Sequence, residues 1–171
     1  MPTSPNVLNY FIGKGTVSFT PTGGVARDLG NAPSFSLGPT IETLEHFSSR
    51  SGIRSKDRTV TLSRGGVINM ILDEITLENL ALALFGGSID ESTIGDREFS
   101  LLGASEITGA ITLTGTNDVG NQFTVIVDSV TFTPAGEFDF ISDEYGQIEL
   151  TGEVLEVDGS FGRVIEAQVA A

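Results

Sequence analysis

Three groups of carboxylates, Asp73/Glu74/Glu78, Asp90/Glu91/Asp96/Glu98 and Asp139/Asp143/Glu144, and one histidine, His46, are the residues whose types could carry out chemistry in this chain. Closely spaced carboxylates can hold a hard cation such as calcium, or divide acid and base roles between them. None of the three groups has the spacing of a calcium loop, so each reads as solvated acidic surface. A lone histidine at the foot of a polar stretch lacks the partners of a triad or an imidazole metal site, and His46 is expected to pack or to hydrogen bond. Cysteine is absent, which excludes disulfides, thiolate metal sites and cysteine nucleophiles. Serines are plentiful, yet there is no Gly-x-Ser-x-Gly elbow, and Gly13, Lys14 and Gly15 read as a turn rather than a phosphate loop. Nor does a glycine-rich nucleotide fingerprint follow any strand-like run. The expectation is a chain that is not an enzyme and has no cofactor and no metal site.

The distribution of charge is more informative than its sum. Nine basic residues against twenty-three acidic ones give −14, yet Arg27, Arg50, Arg54, Lys56, Arg58 and Arg64 all fall between residues 27 and 64. From Glu98 onward thirteen acidic residues face the single Arg163, a net charge of −12. Opposite charge on two regions of one chain suits head-to-tail self-association. The acidic surplus argues against tight nucleic-acid binding, and Arg50, Arg54, Lys56 and Arg58 have no aromatic residue among them to stack on bases. Solvation is the simple reading of these four, and contact with an acidic protein surface is preferred to a nucleic-acid patch.

The elements that would position these residues read as mainly β. Glycine is abundant, tryptophan is absent, and Thr, Val, Ile and Phe recur in short runs between turn formers, so a single domain of 1–171 built as a β-sandwich or open barrel is expected. Residues 1–15 read as an extended arm leading to a strand at 16–19, and residues 21–33 as a loop. A strand beginning near Ser34 runs into a polar, basic arm at about 44–60, too long for a tight turn. Beyond it Gly65 and Gly66 suggest a bulge or bend, and the apolar run VINMIL at 67–72 suggests a strand buried on both faces. Residues 76–86 form the one predicted helix, capped by Thr76 and stopped by Gly86 and Gly87. Leu82, Ala83 and Phe85 make its second side apolar, which leaves two readings, a contact with a neighbouring subunit or a helix sunk in its own core.

Further along, Phe123, Val125 and Val127 share one parity while Val130 and Phe132 shift by one, which predicts a bulge near Asp128 and Ser129. Phe138 and Phe140 alternate with Glu137 and Asp139, and Ile148, Leu150 and Val154 with Glu149, Thr151 and Glu153, predicting strands with an apolar face and a carboxylate face. The first twenty residues lack a signal-peptide pattern and no window is long and apolar enough to span a bilayer, so the chain reads as soluble and intracellular, with no membrane partner.

Several runs have a familiar pattern: LGNAPSF at 29–35, LEHFSSRSG at 44–52 with Lys56 and Asp57, FDFI at 138–141 and QIELTGEV at 147–154. Over about residues 13–157 the chain resembles the tail tube (major tail) proteins of tailed bacteriophages. The resemblance implies a virion protein, made in the host cytoplasm, whose β-sandwich subunit assembles into hexameric rings stacked as a hollow tube. DNA passes through its acidic channel without tight binding. It also implies tail terminator, tape measure and baseplate or tip proteins as partners, and a long arm, here Arg50, Arg54, Lys56 and Arg58, reaching the next ring. Glu137, Asp139, Glu149 and Glu153 are the candidates for the lumen or for the acidic surface that receives the arm. Two other classes compete: a carbohydrate- or protein-binding β-sandwich module of a virion, poorly served by Tyr10 and Tyr145 as the only tyrosines, and a carboxylate-dependent hydrolase.

Overall fold

A computed structural model describes residues 4–50, 52–93 and 95–167, so the start of the predicted arm at 1–15 lies outside the described residues. In chain order the strands are β1 (Gly15–Pro21), β2 (Arg27–Asp28), β3 (Ser34–Ser48), β4 (Ser55–Leu72), β5 (Asp90–Thr93), β6 (Asp96–Glu98), β7 (Thr108–Gly115), β8 (Gln122–Thr133), β9 (Ile148–Val154) and β10 (Gly162–Ala167), with one helix, α1 (Leu77–Ala83), between β4 and β5. The fold is mainly β with a single α-helix, and every strand pair is antiparallel.

Eight strands form one sheet in the order β2-β1-β7-β8-β9-β4-β3, with β10 also paired to β8, while β5 and β6 make a separate hairpin. Period-two alternation dictates which side of the sheet is dry: Val17 and Phe19 from β1, Ile111 from β7, Phe132 from β8, Ile148 and Leu150 from β9, and Ile68, Met70 and Leu72 from β4 all enter one core. The Phe19 and Phe132 rings meet edge to face at 5.3 Å. The Leu29 amide donates to the Val17 carbonyl and the Asp73 amide to the Asn31 carbonyl, so residues 29–31 tie the β1 end of the sheet to the far end of β4. The sheet thereby curls around its core as an open barrel.

Several details differ from the sequence expectations. Residues 67–72 are not buried on both faces: Ile68, Met70 and Leu72 are buried, while Asn69 on the outer side is exposed and accepts from the Thr151 hydroxyl at 2.9 Å. Only one side of the sheet is covered, so an alternating strand suffices. No bulge occurs at Gly65 and Gly66, which continue the register opposite Thr40 and Pro39. The shifts lie at Leu62 and Asp57, each an extra residue on β4. Gly66 is instead where β4 starts to pair with β9, and a Cβ there would stand 3.3 Å from the Val154 side chain. The expected loop at 21–33 includes the two-residue strand β2, and the N-terminal arm is no free extension: residues 7–9 form a 3-10 turn and Ile12 bridges to Val119. The predicted bulge at Asp128 and Ser129 is present, because both stand opposite Ala110 between the pairs Gly109/Val130 and Ile111/Val127.

The helix is shorter than 76–86. Thr76 caps it, its hydroxyl accepting from the Asn79 amide at 3.2 Å. It ends through Phe85, which takes a left-handed conformation with φ of 52° and lets the Gly86 amide donate to the Ala81 carbonyl at 2.7 Å. The stop is therefore made by a phenylalanine, not by the glycines that follow it.

Candidate assembly surfaces

The largest departure of the chain from its core is the hairpin of β3 and β4. Beyond the pair Gly66/Val154, β4 loses its β9 neighbour, and residues 40–65 pair only with one another as far as Ser48 and Ser55. The predicted polar arm at 44–60 is thus a two-stranded ribbon, and its irregular part shrinks to the tip at 49–54, with Ser51 outside the described residues. Apart from half-buried Ser48, every described residue from 40 to 64 is exposed. Large apolar side chains, Ile41, Leu44, Phe47, Val60 and Leu62, are displayed among polar ones. With both faces wet, the alternation of Val60 and Leu62 with Thr59, Thr61 and Ser63 buries neither face, and backbone pairing rather than burial sets the register.

The structure places Arg50 and Arg54 at the tip and Lys56 and Arg58 on the returning strand. Lys56 is engaged within the ribbon, its ammonium 2.7 Å from Glu45, and His46 Nδ1 lies 2.6 Å from Asp57. Among the described residues the guanidinium groups of Arg50, Arg54 and Arg58 have no charged or hydrogen-bonding partner in their own chain. Arg27, counted with this basic group by sequence position, belongs elsewhere: it donates to Asn79 Oδ1 at 2.7 Å and to the Glu78 carbonyl at 3.1 Å. Burial lowers the pKa of this guanidinium, with Glu78 opposing the effect.

Asn79 completes that joint, and no pattern in the sequence marked it. It is 1% exposed, and its amide donates to the Leu29 and Glu74 carbonyls at 2.9 and 3.0 Å, so the first turn of α1, the β2 segment and the end of β4 meet on one side chain. On the outer side of the helix, Arg97 contacts the Glu78 carboxylate and reaches Glu91 at 3.1 Å, and the Arg97 hydrogen bond holds the Glu78 carboxyl below its ordinary range. Lys14 does the same for Asp118 across 2.6 Å.

Of the two readings of Leu82, Ala83 and Phe85, the burial of these side chains favours a helix sunk in its own core. Leu82 and Phe85 are 4% and 9% exposed within the chain's own core and Ala83 packs partly buried against it. The connection before β7 folds back over this side: the Leu102 and Ala104 amides donate to the Leu84 and Phe85 carbonyls, and Gly86 lies against the Phe99 ring.

The four candidate carboxylates split. Glu149 and Glu153 lie on the exposed face of β9 as the alternation predicted, opposite Ile71 and Val67 of β4. Glu137 and Asp139 are exposed but sit in the connection between β8 and β9, where no strand forms. Phe138 turns inward onto the core and Phe140 packs edge to face against it at 4.8 Å, so the two rings serve each other instead of a sheet face. Among the described residues no group of three or more His, Cys, Asp or Glu side chains could hold a metal ion, and no helix is long and apolar enough to cross a membrane.

Among the described residues a curled antiparallel sheet with one short helix, an open rim and a projecting hairpin defines the class: a mainly β protein whose conspicuous surfaces are edges, a ribbon and loops rather than an enclosed site. The chain belongs to the family described as protein of unknown function UCP028589, whose model matches residues 10–95, from the approach to β1 through the ribbon and α1 to β5. No curated protein matches the sequence.

Proposed function

We propose that this protein is a structural, non-enzymatic subunit that polymerises, and specifically that it builds the tail tube of a bacteriophage as stacked hexameric rings around an acidic channel. The observation that carries the reading is the ribbon. A two-stranded hairpin with both faces in water is marginal on its own, and one that displays Ile41, Leu44, Phe47, Val60 and Leu62 is a standing invitation to associate. Such a ribbon is accounted for by a surface on another copy that covers it. The unpaired guanidinium groups of Arg50, Arg54 and Arg58 suit a carboxylate-rich receiver, and the same chain supplies one with a net charge of −12 from Glu98 onward. The outer edge of β3, with no partner strand among the described residues, favours assembly as well, since neighbouring copies remove sheet edges that would otherwise aggregate.

Within this reading the channel stays free of bound DNA because carboxylates such as Glu149 and Glu153 offer phosphates no cation. Electron microscopy of purified protein at rising concentration tests the proposal. Rings or tubes with a central channel are the expected result; a monomer at every concentration and ionic strength would refute it.

A further inference from the structure

β10 takes over from β9 along β8: Val154 pairs with Val130, and after the excursion of 155–161 Gly162 resumes opposite Val127. The excursion turns tightly at Asp158 and Gly159, both at positive φ, where Val157 and Ser160 bridge. β4, having left β9 at Gly66, does not rejoin β10. A groove of about 490 Å³ opens between the base of the ribbon and β10, and Leu37, Ile41, Val125, Val127, Phe161 and Val164 make it apolar. Arg64 and Arg163 also line it, and Arg163 is the single basic residue from Glu98 onward.

At the other end of β8, the connection to β9 presents the opposite chemistry. Phe140, Ile141 and Tyr145 are 72%, 97% and 99% exposed, interleaved with Asp139, Asp143 and Glu144. Three large side chains this exposed within six residues of one loop form a cluster of the kind that marks interaction sites, unlike single exposed apolar residues, which are ordinary. The groove's volume is in the ~300–1,000 Å³ range of clefts that bury a whole small ligand, so it takes more than one such side chain. From Ile126 to Thr133 the strand advances roughly 23 Å at ~3.3 Å per residue, so groove and loop stand at opposite ends of β8, and no residue of 139–145 lines the groove of its own chain.

We infer that the loop at 139–145 of one copy docks into the groove between the ribbon base and β10 of the next, its apolar side chains filling the cleft and its carboxylates meeting Arg64 and Arg163. The contact is heterologous, one end of the barrel on the other, and so propagates instead of closing a dimer. This inference rests on the reading of the protein as a self-assembling subunit and names the surfaces that meet.

The absence of cysteine in the wild-type chain makes the contact directly testable. Ile141→Cys and Val164→Cys are introduced into separate copies, which are mixed at a concentration where wild-type protein assembles and then oxidised. The expected product is a disulfide-linked dimer from the mixture, at least five-fold more abundant than from either variant alone, and a covalent ladder from the double variant. A mixture of Ile141→Cys with Val25→Cys, an exposed position away from the groove, measures chance collision. Assembled protein with no cross-link, or one no stronger than the Val25→Cys control, overturns the docking while leaving self-assembly intact. Wild-type protein that never assembles overturns both. A soluble peptide of residues 136–146 that competes away the cross-link supports the contact without relying on the folding of any variant.

Discussion

Replacing residues 44–60 by Asn-Gly separates the ribbon's contribution to folding from its contribution to assembly. Thr43 and Thr61 are register partners, so the substitution closes the hairpin with a two-residue turn of the type that Asn-Gly favours. No described side chain removed is buried, so the hydrophobic loss is near zero. The connection between the paired residues Pro39 and Gly66 shortens from the 26 residues 40–65 to about 11. For a flexible connection this alters closure entropy by (3/2)RT ln(26/11), about 0.8 kcal/mol in favour of the folded chain. Against it stand the cross-strand pairs of the ribbon, each worth ~0.2–1 kcal/mol and largely offset by the entropy of ordering them in water. The net change should stay within about 1 kcal/mol, a shift in Tm of no more than ~4 °C for a chain of this length. Urea and thermal unfolding followed by circular dichroism, at a dilution where wild type is monomeric so that association does not inflate its stability, measure this term. Light scattering and electron microscopy of concentrated samples measure the other, and there the shortened protein should not assemble. A stability loss above about 3 kcal/mol would show the ribbon to be integral to the fold, and tubes of normal length from the shortened protein would show that it is not an assembly contact.

Charge reversal of Arg50, Arg54 and Arg58 together to Glu should leave Tm within about 2 °C, since none of their guanidinium groups has a partner in its own chain among the described residues, yet weaken assembly most at low salt, where sedimentation against ionic strength reads the effect. Asn79→Leu takes the Asn79 partner from the Leu29 carbonyl and leaves the Glu74 carbonyl with the Thr76 amide alone and the half-buried Arg27 guanidinium with the Glu78 carbonyl alone, and at ~1–3 kcal/mol for a buried group so stranded it should cost about 1–3 kcal/mol, seen as a lower urea midpoint at unchanged slope. Because the Arg97 hydrogen bond depresses the Glu78 pKa in the folded chain, its stabilisation is fully present above the unfolded glutamate value and is lost as pH falls through the lower folded one; Glu78→Gln should therefore be less stable than wild type at neutral pH and converge with it in acid, in melts recorded across pH.

What could be read from the chain alone, and what could not, follows from where water is. On β9 every second residue enters the core, so Ile148, Leu150 and Val154 announce both the strand and its dry face, and the slip from Val127 to Val130 announces the bulge at Asp128 and Ser129. Thr76 was legible because a cap is a local exchange of one hydroxyl for one amide. The ribbon defeated the same reasoning: with both faces solvated, selection of side chains by burial disappears, and a strand that continues to Ser48 looks like a polar loop. FDFI failed in the opposite direction, since its alternation is real but Phe138 and Phe140 satisfy each other locally and no neighbouring strand is present to use it. Long-range closure was beyond a pattern reading altogether. That Leu82 and Phe85 are covered depends on amides at Leu102 and Ala104 some twenty residues away, and Asn79 matters because β2 brings Arg27 to it. The groove is of this last kind, created by β10 succeeding β9 along β8 while β4 departs with the ribbon. The charges could be counted from the sequence, but only the register puts Arg64 and Arg163 at one end of the barrel and the exposed Phe140, Ile141 and Tyr145 at the other, and it is this polarity that turns an acidic, two-sided chain into one suited to growing along an axis.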